Sequence, residues 1–151
     1  MIKIICVGKL KEPYLKDAVK LYQKRISKYT KLDIIEVLDS PYENIDKCLK
    51  EECYNINKHL NDKDYLILLD IKGKKYDSVA LADFIDKTQI FNSNLTFLIG
   101  GSYGVSEELK ERANCKISFS DLTFPHQLFR VLLLEQLYRA FKINNNESYH
   151  K

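Results

Sequence analysis

Leu95-Thr96-Phe97-Leu98-Ile99-Gly100-Gly101-Ser102-Tyr103-Gly104 is a short apolar run that breaks into a glycine-rich loop, and a helix start at Ser106-Glu107-Glu108 follows at once. A buried strand, a loop and a helix make the repeating unit of α/β folds. Read outward from this stretch, the unit recurs. Upstream, Tyr65-Leu66-Ile67-Leu68-Leu69-Asp70 reads as a central strand, with Ser78 as the cap of a helix carrying Val79, Leu81, Ala82 and Ile85. Earlier still, Leu32 to Leu38 precedes Ile45, Leu49, Ile56 and Leu60 at helical spacing. The β-branched run Ile2 to Val7 precedes a helix entered at Pro13. Downstream come a strand from Lys116 to Ser120 and a long helix from Gln127 to Lys142. Short connections between these βα units predict one α/β domain over residues 1–151, a parallel sheet with helices on both faces.

The 151 residues are 45% hydrophobic and 30% charged, with five Gly and three Pro, which excludes disorder and collagen-like repeats. No apolar run reaches the 18 or so residues of a membrane span, and the start is too short for a signal peptide, so a cytoplasmic location is expected. The cysteines at 6, 48, 53 and 115 lack Cys-x-x-Cys spacing and read as reduced, half-buried thiols. Cys48 and Cys53 lie about 140° apart on a helix, so no metal site is expected. The net charge of +3 is uneven: residues 1–31 carry +7 and residues 32–64 carry −5. The basic start suits either a solvated helix face or a polyanion such as nucleic acid.

Ligands of parallel sheets sit beyond the carboxyl ends of the strands, where loops and helix N-termini offer free N–H groups. Three segments fall there: Leu69 to Lys74, Gly100 to Gly104, and Asp121 to His126. The second is neither Gly-x-Gly-x-x-Gly nor a Walker loop. Its glycines serve either as a tight turn or as bare backbone against a flat ligand, and Lys72-Gly73-Lys74 reads most simply as a solvated turn.

The last helix is apolar nearly all round, with Glu135, Arg139 and Lys142 as its narrow polar stripe. One sheet covers one side only, so a second subunit is expected to cover the rest. Arg130 falls among the apolar residues and needs a carboxylate, a carbonyl or a ligand anion. Glu135 and Arg139 form an i, i+4 pair, plainly read as a surface salt bridge. His126 opens the helix, where the dipole favours neutral imidazole. Asn144-Asn145-Asn146 suggests a frayed end, yet Tyr149-His150-Lys151 supplies a ring, an imidazole and a cation.

Phe97 to Gly104, Leu122-Thr123-Phe124-Pro125-His126-Gln127, Arg130 to Leu133, Glu135 to Ala140, and Tyr149-His150-Lys151, in this order and spacing, resemble the RlmH family. These are small SPOUT-class methyltransferases that use S-adenosylmethionine to methylate N3 of a pseudouridine in 23S ribosomal RNA. The resemblance implies a C-terminal trefoil knot, which nothing in the periodicity shows. It implies cofactor contacts at Leu69, Gly100 and the stretch Phe119, Ser120, Asp121, Leu122, Thr123 and Phe124. With few RNA-binding residues in one small domain, a homodimer would lend the tail and basic helix of one copy to a composite site on the other, acting on 23S ribosomal RNA, free or within the ribosome. The chain departs from many relatives at Ser148, where they have Pro, and ends in Lys151 where some have Arg.

The acceptor N3 carries a proton that must leave. His126, Tyr149 and His150 are the candidate bases, and Arg139 and Lys151 can offset charge or hold phosphate. Two other classes compete: a non-catalytic nucleotide-binding regulator with the same loops, and a structural dimerisation module, which leaves Arg130 and Tyr-His-Lys unexplained.

Overall fold

The computed structural model describes residues 1–151. Five parallel strands, β1 (Ile2–Val7), β2 (Leu32–Val37), β3 (Tyr65–Lys75), β4 (Leu95–Ile99) and β5 (Cys115–Ser118), form one sheet in the order β2-β1-β4-β3-β5. Between and after them run α1 (Pro13–Ile26), α2 (Ile45–Asn57), α3 (Ser78–Phe91), α4 (Glu107–Arg112) and α5 (His126–Asn144).

Side chains alternate across a strand. Ile4, Phe97 and Ile67 therefore face a core closed by Val19 and Ile26 of α1, Ile85 of α3, and Leu133, Leu134 and Leu137 of α5. Ile5, Leu98 and Leu68 face the opposite core, closed by Ile56 of α2 and Leu109 of α4. The central strands β1 and β4 are buried at every position, which is why they read as mostly apolar; the exceptions are Thr96 and Lys3, whose ammonium pairs with Asp64 at 2.7 Å. Full burial of each such side chain is worth about 1.5–3 kcal/mol.

The helix starts are set by local chemistry. Pro13 stands at the first turn of α1. The side chains of Asn44 and Ser106 accept from Lys47 N and Leu109 N. At α3 the cap is Asp77, accepting from Ala80 N, and not Ser78, whose hydroxyl instead donates to Gln136 of α5 at 2.8 Å.

Three further expectations are corrected. β3 does not stop at Asp70: it runs to Lys75, and Ile117 of β5 pairs with both Leu69 and Lys74, so the residues between bulge outward. Lys72-Gly73-Lys74 is therefore part of a strand and not a solvated turn; a Cβ on Gly73 would lie 2.6 Å from Ile117 N. β5 ends at Ser118, leaving Phe119 and Ser120 to the following loop. α5 packs against both α1 and α3 as well as the sheet, and Leu128, 38% exposed, marks the side that its own chain leaves open.

Candidate active site

At the carboxyl ends of β3, β4 and β5 the three segments enclose a cavity of about 340 Å³. Leu69, Gly100, Phe119, Ser120, Leu122, Thr123, Phe124 and His126 all line it. Asp121 does not; it points away, its carboxylate 2.5 Å from Lys75 Nζ and 82% exposed. Sequence reasoning missed Phe129, which packs against Phe119 and Phe124 with centroids 4.9 and 6.2 Å apart, and Lys110, the one lysine or arginine in the lining. Phe129 lies three residues after His126 on α5, so helical spacing carried that signal.

The glycine loop is built by its own backbone. Gly104 takes φ +77°, and its N–H donates to Gly101 O at 3.0 Å. A Cβ on Gly100 would meet Gly104 O at 2.7 Å and Val105 at 2.9 Å. A side chain at Gly100 would therefore open the tight turn that closes the loop. Beyond β5, Ser120 Oγ accepts from Leu122 N and Ser118 Oγ donates to Ser120 O, turning Leu122 to Phe124 over the cavity mouth.

Arg130 is 1% exposed and structural: its Nη1 donates to Glu36 at 2.6 Å and its Nη2 to Gly8 O at 3.0 Å. Glu36 also accepts from Leu10 N at 2.8 Å. Burial pushes the Glu36 carboxyl up, but the Arg130 and Leu10 hydrogen bonds outweigh it and hold the group below its ordinary range. Nearby, Gln127 accepts from Lys11 N, fastening the β1–α1 loop to the start of α5.

The last residues are packed and not frayed. Asn144 Nδ2 donates to Ala82 O, Asn145 Nδ2 to Phe141 O, and Asn146 adopts φ 55°, so the three asparagines end the helix and turn the chain back. Glu147 then receives Lys142 at 2.7 Å and the Tyr29 hydroxyl at 2.8 Å. Glu135 accepts Arg139 Nε at 2.9 Å and Nη2 at 2.5 Å, together with the Tyr149 hydroxyl at 3.1 Å. The pair is thus half-buried and tied to the tail, where a surface bridge was expected. Arg139 Nη1 lies 3.2 Å from His150 Nδ1, and the guanidinium sits 4.7 Å from the Tyr149 ring. Burial and then Glu135 raise the Tyr149 phenol, so it stays a hydrogen-bond donor. The Glu135 hydrogen bonds raise Arg139 as well.

His150 lines a second cleft whose wall includes Ile117, Ser118 and Phe119, the same residues that wall the first cavity. The tail and the cavity therefore lie on two sides of one short segment. Of the sequence-derived candidates, Arg139, Tyr149 and His150 come together, His126 stands apart at the cavity, and Lys151 is exposed.

The family described as "Predicted SPOUT methyltransferase" matches residues 1–150. Among curated proteins, the chain is 51% identical to the Ribosomal RNA large subunit methyltransferase H of Clostridium botulinum (strain Kyoto / Type A2), covering 99% of each chain. It is 44% identical to the protein of the same name from Caldicellulosiruptor saccharolyticus, over the whole of both chains. With its parallel sheet, its loop cavity and the trefoil knot that this fold implies, the chain belongs to the SPOUT methyltransferase family.

Proposed function

We propose that this chain methylates N3 of a pseudouridine in 23S ribosomal RNA of the large subunit, drawing the methyl group from S-adenosylmethionine, as a homodimer acting on the ribosome in the cytoplasm. The observation that carries this reading is the loop cavity at the ends of β3, β4 and β5, in a chain whose relatives are named for ribosomal RNA methylation over their full length.

The residues present fit the cofactor. The cavity has a volume usual for a small ligand, an aromatic wall of Phe119, Phe124 and Phe129 for a flat base, and Gly100 and Gly101 in its lining. When bound, S-adenosylmethionine supplies an electrophilic methyl group. Leu69, Gly100 and Phe119 to Phe124 would hold it, Asp121 acting only through its tie to Lys75.

The chain's own part is to position the acceptor and manage its proton. His126 stands at the cavity and His150 beside Arg139, so each imidazole can accept the N3 proton from its side of the Phe119 segment. Arg139, fixed by Glu135, offsets negative charge on a deprotonated ring, while Tyr149 offers a ring for stacking and Lys151 a cation for phosphate. Leu128, with the half-buried Val131 and Leu132, forms an apolar strip on α5 that a second copy would cover. The tail of that copy can then reach the same acceptor. Mass spectrometry of large-subunit RNA from cells lacking this chain tests the reading: one methyl group on a pseudouridine should vanish, and an unchanged modification map would refute it.

A further inference from the structure

Three ionisable side chains line the loop cavity: Asp70, His126 and Lys110. Asp70 is engaged locally, its Oδ1 accepting from Lys72 N at 3.0 Å. Lys110 belongs to α4, the helix that follows the glycine loop, and its Nζ rests 3.2 Å from Glu107. That contact is poorly anchored: the Glu107 side chain is 82% exposed and the Lys110 side chain 35%. Such an i, i+3 pair is worth about 0–1 kcal/mol, so a better-placed anion displaces it readily. The aromatic wall of Phe119, Phe124 and Phe129 belongs to the β5–α5 segment, whereas Lys110 belongs to the segment that follows β4. The cavity is thus lined by an apolar aromatic element from one segment and a single cation from another.

Resting on the cofactor reading above, we propose that Lys110 binds the carboxylate of the amino-acid arm of S-adenosylmethionine, exchanging Glu107 for it, while the phenylalanine wall takes the adenine. A carboxylate entering a partly desolvated cavity needs a charge-assisted donor. No other lysine or arginine lines the cavity to provide one. Through Lys110 the loop cavity would distinguish an amino-acid-bearing nucleoside from a bare one.

Calorimetry on the full chain with S-adenosylhomocysteine and with methylthioadenosine, which lacks the carboxylate, separates the outcomes. Lys110→Met should weaken S-adenosylhomocysteine about tenfold, equivalent to about 1.4 kcal/mol, and leave methylthioadenosine within about twofold. Lys110→Arg should restore most of the difference, and Glu107→Gln, which frees the ammonium, should tighten S-adenosylhomocysteine. Equal losses for both nucleosides, or no loss for either, would overturn the assignment of Lys110. An unsubstituted chain that binds neither nucleoside would overturn the cofactor reading, and this inference with it.

Discussion

The Tyr149 hydroxyl donates to Oε2 of Glu135 across 3.1 Å, and Oε1 of the same carboxylate takes two N–H groups of Arg139. One side chain of α5 therefore positions both a ring and a guanidinium of the proposed acceptor site. Glu135→Gln keeps the shape but weakens these charge-assisted bonds, each worth about 1.5–3 kcal/mol. We expect turnover to fall at least tenfold with cofactor affinity unchanged. The Tyr149 phenol, raised by burial and then by Glu135, should titrate at lower pH in the variant, which carbon-13 spectra of the tyrosine rings would show.

Deleting residues 149–151 removes the ring, imidazole and cation together and leaves the α5 termination through Glu147 in place. Methylation should be abolished while S-adenosylmethionine affinity stays within about twofold, a difference of about 0.4 kcal/mol. Full turnover by the truncated chain would show that the packed tail is only a structural end.

Arg130 and Glu36 make a prediction about stability. Glu36→Gln leaves a guanidinium buried with weaker partners and should cost about 2–3 kcal/mol in urea unfolding, at or below the usual range for broken buried pairs because the Glu36 side chain is 36% exposed. Arg130→Met should cost less, since a freed Glu36 can hydrate. The Glu36 carboxyl is held low in the folded chain, so its stabilisation is present above the ordinary carboxylate range near pH 4 and is lost as pH falls through the lowered value. The glutamine variant should show a shallower acid decline; parallel pH profiles for the two proteins would refute the assignment.

The glycine loop separates two kinds of defect. Gly100→Ala drives a Cβ into the Gly104 carbonyl and should weaken cofactor binding at least tenfold by shifting the loop, with native circular dichroism. Gly104→Ala meets open space but must hold φ +77°, so it should cost about 1–2 kcal/mol of stability and little affinity. Comparing melting and calorimetry for the two variants checks this.

Much of this architecture was legible in the residues. The largely apolar runs at Ile2 to Val7 and Leu95 to Ile99 read as strands and are buried at every position, and the three segments at strand ends are the ones that enclose the cavity. What failed was long-range. The extension of β3 depends on Gly73 meeting the Ile117 backbone, a contact 44 residues apart that periodicity cannot register. Asp77 and not Ser78 caps α3, and the Ser78 hydroxyl instead donates to Gln136, a partner 58 residues along the chain. The apolar circumference of α5 was seen, but its cover by α1 and α3 follows from sheet order. The knot came from resemblance alone.

The central claim is methyl transfer to large-subunit ribosomal RNA, and the most direct measurement supplies the purified chain with isotopically labelled S-adenosylmethionine and ribosomes from cells lacking it. About one methyl group per 23S molecule should appear, and mass spectrometry of the digested RNA should place it on N3 of a pseudouridine. Label that fails to enter the RNA of ribosomes, of large subunits or of naked 23S transcripts, from a chain that still binds the cofactor, would contradict the account.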